Sequence, residues 1–169
     1  MSNAFGTLFR KLFGGRSGGA SDGVASSAID GSHDPFPDKA KSPDPEVWLY
    51  PDSEELHKQT LLKARRIEQP VFRIGRRISD AVHYPDDNPP DMLIVENAPF
   101  TLSRMQCQIE IKGHKVIVRD LGSRVGTMLG RKRLQSSSRK PSSAVVSKGE
   151  HSLVLGYPDG PFRFRLVVR

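Results

Sequence analysis

RDLGSRVGTML, residues 119–129, reads as the end of one strand, a glycine-rich turn and the start of the next. As a hairpin its composition is unusual. Ser123, Arg124 and Thr127 surround Gly122 and Gly126, and an apolar, β-branched Val125 stands at the crown. Working upstream, Cys107–Gln108–Ile109–Glu110–Ile111 alternates apolar and polar residues, and Val116 and Val118 repeat the pattern beyond Gly113. Such period-two alternation belongs to a strand with one face in a core. Cys107 falls on that face and is expected to be a small core residue, not a nucleophile.

The remainder of the chain from Glu46 is written in the same style. EVWLY, QTLLKAR, VFRIG, DMLIVE, SLVLG and FRFRLVVR are short runs rich in apolar and β-branched residues, separated by Pro, Gly, Asp and Asn clusters. Helical periodicity nearly disappears, and many short strands with frequent turns predict an all-β sandwich or barrel over residues 47–169.

The first 46 residues differ. Residues 15–46 are dominated by Gly, Ser, Asp, Pro, Ala and Lys, a composition that cannot bury enough apolar surface to offset its ordering entropy, and are expected to form a disordered linker. Residues 1–14, MSNAFGTLFRKLFG, place Phe5, Leu8, Phe9, Leu12 and Phe13 at helical spacing. A helix this short is marginal alone in water, so the stripe is expected to order against a partner groove or a membrane interface, where Arg10 and Lys11 suit anionic headgroups. The alternative is docking on its own domain.

Charge separates the same two regions. The net charge is +7, but residues 1–46 carry five Lys/Arg against six Asp/Glu, and residues 47–169 carry 21 against 13. A basic domain suits phosphorylated peptide, nucleic acid or anionic membrane, or simply has a solvated cationic surface. The one cysteine excludes an internal disulfide framework or a Cys-based zinc cluster. No run approaches the roughly 18 apolar residues of a membrane span, and no secretory leader is evident, so a cytoplasmic location is expected, peripheral at a membrane or larger assembly if the stripe anchors it.

Catalytic signatures are missing. His33, His57, His83, His114 and His151 show no metal-ligand spacing, Ser123 has no G-x-S-x-G context, and no glycine-rich loop precedes Lys-Ser/Thr. The expectation is a binding module, with no enzyme activity and no cofactor.

Three pieces then read together: FRIGRR with Gly75–Arg76, LSRMQCQIEI with Ser103–Arg104, and DLGSRVGT at 120–127. Each puts small, hydroxyl-bearing or basic residues at a strand end. An arginine fork, a serine hydroxyl and unshielded backbone N–H groups in tight turns are what a phosphate-reading surface requires. From Arg76 to Ser103 is 27 residues, and from there to Asp120 is 17. In order and spacing the three resemble the forkhead-associated (FHA) domain, whose pattern runs GR, S-x-x-H and D-x-G-S-x-N-G-T, over about residues 47–169. TMLGRKRL also resembles the family's next hairpin, with Gly130 first in the turn and so favouring type II′.

The resemblance implies an eleven-stranded sandwich that binds phosphothreonine peptides through loops at one end. Position by position, it implies that Arg76 grips phosphate oxygens, Ser103 donates its hydroxyl, Arg104 adds backbone and charge contacts, and Arg124 stands where the loop meets the peptide. Gly75, Gly122, Ser123, Gly126 and Thr127 would shape the loops. Val125 replaces the family asparagine that hydrogen-bonds the peptide main chain, and Gln106 replaces the histidine that braces the loops. Valine supplies no such bond, and glutamine can imitate one of the imidazole's.

Two functions stay open at this point. One is an adaptor that recognises phosphothreonine on a protein partner, with an altered grip on the peptide backbone. The other is a degenerate domain in which Val125 joins an apolar patch that binds protein without phosphorylation. Nucleic-acid binding by the basic face, including GRKRL and SSSRKPSS, is a minor alternative, because stacking aromatics are not interleaved there. SSSRKPSS itself reads as a solvated connection. Thr7 is the sole candidate phosphosite in the tail for self-recognition.

Overall fold

A computed structural model describes residues 43–79, 82–137 and 140–169. The expected helix of residues 1–14, with Thr7, and nearly all of the expected linker lie outside the described residues. Among the described residues, eleven strands form: β1 (Val47–Pro51), β2 (Arg65–Ile67), β3 (Val71–Arg76), β4 (Met92–Ile94), β5 (Cys107–Lys112), β6 (Lys115–Asp120), β7 (Thr127–Leu129), β8 (Lys132–Leu134), β9 (Ser143–Val146), β10 (Gly149–Leu155) and β11 (Arg163–Val168). One four-residue helix, α1 (Glu54–His57), follows β1.

The strands make two sheets, a six-stranded one ordered β2-β1-β11-β10-β7-β8 and a five-stranded one ordered β4-β3-β5-β6-β9. All pairs are antiparallel except β3 with β4. The inward faces follow the alternation. Phe72 and Ile74 of β3, Cys107 and Ile109 of β5, and Val116 and Val118 of β6 meet Leu49, Leu153, Leu155, Phe164 and Leu166 of the other sheet in one buried cluster. Burial pushes the Cys107 thiol far up, with the nearby Asp120 charge adding to it, which leaves it an inert part of this cluster.

Two local expectations are corrected, and a third holds. RDLGSRVGTML is not a hairpin: β6 belongs to the five-stranded sheet and β7 to the six-stranded one, so the turn carries the chain between the two layers. QTLLKAR is strand only at Arg65; Gln59–Ala64 is an irregular loop that buries Leu62 and leaves Leu61 85% exposed. Between β7 and β8, Gly130 has φ 55 while Arg131 keeps a negative φ, the sign pattern expected of a type II′ turn.

Glu110 also departs from simple alternation. It points away from the core cluster, yet is only 2% exposed. Arg119 Nε and Gln108 Nε2 donate to its Oε1 at 2.6 and 2.8 Å, and the Lys112 ammonium stands against Oε2. Chiefly through the bond from Arg119, then that from Lys112, its carboxyl is held at about 2, below the ordinary 4.5. A carboxylate with a depressed folded-state pKa stabilises the fold above its unfolded value and loses that contribution as pH falls through the folded one. With Lys112 61% and Arg119 30% exposed, solvent screening leaves a contribution on the order of 1–2 kcal/mol. Glu110→Gln therefore lowers stability at pH 7, and its deficit against the parent shrinks as pH falls from 4.5 towards 2. Urea unfolding at several pH values reads this directly; a pH-independent deficit would contradict it.

Candidate functional site

The loops at one end of the sandwich bring the three sequence pieces together, and the close approach starts at Gly75. A Cβ there would lie 1.9 Å from the Arg104 carbonyl oxygen, so only glycine lets the segment after β4 lie flat on β3. Two backbone bonds fasten it, from Arg76 N–H to the Ser103 carbonyl and from Gln106 N–H to the Ile74 carbonyl, both at 3.0 Å.

Arg76 emerges beside Ser103 as a consequence. Its Nε donates to the Leu102 carbonyl at 3.1 Å, and its guanidinium lies over the Phe100 ring with Cζ 3.8 Å from the centroid. These contacts fix the plane of the fork and leave its terminal amino groups for the cleft. Phe100 is positioned in turn by Glu96, whose carboxylate accepts from the Thr101 N–H (2.7 Å), the Thr101 hydroxyl (2.5 Å) and the Leu102 N–H (2.9 Å).

The turn between β6 and β7 is organised by Asp120, which is 2% exposed. Its Oδ1 accepts from the N–H groups of Gly122 (3.1 Å), Ser123 (3.1 Å) and Ser136 (2.8 Å), and its Oδ2 from the hydroxyls of Ser123 (2.5 Å) and Thr127 (3.2 Å). Ser123 Oγ accepts from the Gly126 N–H at 2.9 Å, closing the turn. Gly122 and Gly126 hold φ of 79 and 104, which side-chain-bearing residues rarely adopt.

Gln106 links this turn to the Ser103 loop. Fully buried, it accepts from the Ser103 N–H at 2.9 Å and donates to the Gly126 carbonyl at 2.7 Å and to Thr127 Oγ1 at 3.2 Å. Donor and acceptor of one amide are thus both used. The Arg124 N–H completes the link by donating to Ser103 Oγ at 3.0 Å. Ser103 Oγ accepts that bond and keeps its own proton.

The resulting cleft, about 490 Å³, is lined by Arg76, Phe100, Ser103, Arg104, Gly122 and Arg124 among others. Arg104 and Arg124 are exposed; Arg104 also donates to the His83 carbonyl at 3.3 Å, and the Arg124 guanidinium contacts the Phe100 carbonyl. Three guanidinium groups and one hydroxyl converge on a space open to solvent, a geometry able to hold a multiply charged oxyanion.

Val125 is not an exposed crown residue. It is only 7% exposed and lies outside the main core cluster. The turn around it is tied to Asp120 and Ser103, and Arg133 donates to its carbonyl at 2.5 Å. Sequence reasoning also missed Phe100, Glu96 and the role of Asp120. For Asp120 a signal existed, since an aspartate two residues before glycine is a common side-chain-capped turn. No group of three His, Cys, Asp or Glu that could hold a metal ion occurs among the described residues, nor is any described helix long and apolar enough to cross a membrane.

A two-layer β-sandwich with an arginine-lined cleft on one set of loops defines the class. Residues 72–147, from β3 through β9, match the model of the FHA domain, and the chain contains a domain of that family. Among solved structures, the chain is similar to the yeast Pml1 splicing factor (17% identity, TM-score 0.51, covering 74% of this chain and 80% of that one). It also matches the FHA domain of the CT664 protein from Chlamydia trachomatis (16% identity, TM-score 0.48, 72% and 96%). A third match is EmbR from Mycobacterium tuberculosis, in complex with a low affinity phosphopeptide (17%, TM-score 0.47, 72% of this chain and 24% of that one). No curated protein matches the sequence.

Proposed function

We propose that this FHA domain is a protein-interaction module that holds a phosphothreonine of a partner protein in the Arg76–Ser103–Arg124 cleft. The observation that carries the reading is the placement of Ser103. Its Oγ already accepts from the Arg124 N–H and lies beside the Arg76 fork, so its own proton stays free to donate to an incoming acceptor. Arg76 grips phosphate oxygens in the plane set by Phe100, Ser103 donates one short bond, and Arg104 and Arg124 supply charge at the rim.

The peptide backbone is held less firmly than the phosphate. Val125 has no polar atom on its side chain, and its carbonyl already accepts from Arg133. The same burial removes the basis for an apolar docking patch at that position, so the phosphate-dependent reading is favoured. Losing one peptide-directed hydrogen bond costs about 0.5–1.5 kcal/mol, a factor of roughly two to ten in affinity.

Fluorescence titration of the full chain against a degenerate phosphothreonine peptide pool, its unphosphorylated twin and a phosphoserine pool tests this. The expected result is saturable binding of the phosphothreonine pool, with the unphosphorylated twin weaker by about two orders of magnitude. Equal affinity for the two would refute the proposal.

A further inference from the structure

A hollow of about 760 Å³, larger than the loop cleft, runs along β4, the edge strand of the five-stranded sheet. Its wall is the irregular loop before β2, with Leu61 85% exposed, and its floor includes Leu93 and the 46%-exposed Val95. Exposed apolar side chains grouped beside a sheet edge mark a surface that something covers.

The backbone chemistry of this edge is specific. In a parallel pair, alternate residues of a strand turn their N–H and C=O to opposite sides. Met92 and Ile94 face β3, as shown by the bond from Arg77 N–H to the Ile94 carbonyl at 2.8 Å. Asp91, Leu93 and Val95 therefore face outward. Two of these positions are capped by side chains. Arg65 donates to the Asp91 carbonyl at 3.2 Å, and the Gln59 amide makes a strand-like pair with Val95, donating to its carbonyl and accepting from its N–H, both at 2.9 Å. Between them the N–H and C=O of Leu93 have no partner among the described residues, and they open into the apolar hollow.

The rim is mainly basic. Lys63, Arg65 and Arg77 border the hollow, with Lys58 beside them already paired to Glu54 and Glu55, and the one acidic lining residue, Asp91, has its carboxylate taken up by Gln69 and by the Arg73 N–H. We propose that this edge binds an extended, apolar segment of a partner protein flanked by acidic residues, which adds as a strand beside β4 through the Leu93 backbone and packs on Leu61 and Val95. Main-chain bonds supply the anchoring in such strand addition, and the alternate side chains and the flanking charge supply the choice of partner. This surface is separate from the phosphate cleft and does not depend on it.

The test uses the full chain, isotope-labelled for amide NMR, and the nonapeptide Asp-Glu-Val-Thr-Val-Thr-Val-Glu-Asp. Two controls are a version with lysines at the four acidic positions and one N-methylated at its three central residues. Expected are saturable shifts at residues 91–95 and 59–63, slowed exchange of the Leu93 amide, at least tenfold weaker binding of the lysine version and loss of binding on N-methylation. Leu61→Asp, at an exposed loop position, weakens the acidic peptide at least tenfold without moving the melting temperature or the affinity for phosphopeptide. Binding that ignores N-methylation or Leu61→Asp overturns the proposal, as does absence of binding. So does an edge already covered in the peptide-free chain by residues 1–14 or by a second copy.

Discussion

Arg76→Ala lowers affinity for a phosphothreonine peptide by roughly two to three orders of magnitude while leaving the domain folded. Truncating one member of a hydrogen-bonded charge pair costs about 2–5 kcal/mol, and each 1.4 kcal/mol is tenfold. The cost to the fold is smaller. Arg76 contributes a guanidinium–aromatic contact with Phe100 and one bond to the Leu102 carbonyl, together about 1–2 kcal/mol. Arg76→Lys separates charge from shape, because an ammonium keeps the former and loses the planar fork and the flat packing on the ring. It should fall between the parent and the alanine variant. Titration and thermal melting of the three proteins decide the matter, and parental affinity in Arg76→Ala would mean that phosphate, if bound at all, sits elsewhere.

Asp120→Ala is expected to be the most damaging single change to the fold near the site. It strips the acceptor from three backbone N–H groups and two hydroxyls in a place almost closed to water. Leaving that many partners of a buried charge unsatisfied costs about 3–5 kcal/mol. At roughly 4 °C per kcal/mol, melting drops by about 12–20 °C. Phosphopeptide binding falls with it even at temperatures where the variant is folded, because Gly122, Ser123 and Arg124 lose their frame. Asp120→Asn retains one carbonyl-type acceptor and is milder. A melting shift below about 4 °C for the alanine variant would show that the turn is held by other contacts.

Much of the fold was legible because its signals are local. Period-two alternation placed Cys107, Ile109, Val116 and Val118 in the core, and the runs of β1, β3, β4, β5, β6, β10 and β11 were readable from apolar and β-branched residues between turn formers. The expectation that Gln106 braces the loops rested on its chemical resemblance to one edge of an imidazole, and the amide does span the two loops. What stayed hidden depends on through-space company. Alternation assigned Glu110 to the polar face and could not show that Arg119 and Lys112, brought near by strand pairing, would enclose it. A turn joining two strands looks the same in sequence whether they pair or part, so the layer crossing after Asp120 was missed, and with it the burial of Val125. Phe100 was passed over because nothing in NAPFTLSR announces that its ring will lie beneath the guanidinium from β3.

The bond from the Arg124 backbone to Ser103 Oγ, with the Gln106 amide behind it, has a kinetic meaning. Both loops are tied to each other before any partner arrives, so little backbone ordering is left for the moment of encounter. Arrival is then governed by diffusion and by the attraction of Arg76, Arg104 and Arg124 for a dianion, which weakens as ionic strength rises. Partners that differ in the residues around the phosphate would share similar arrival rates and differ in how long they stay. On the proposed function, such a surface would sort its partners by residence time, and a phosphatase would compete for each one during the intervals when it is unbound.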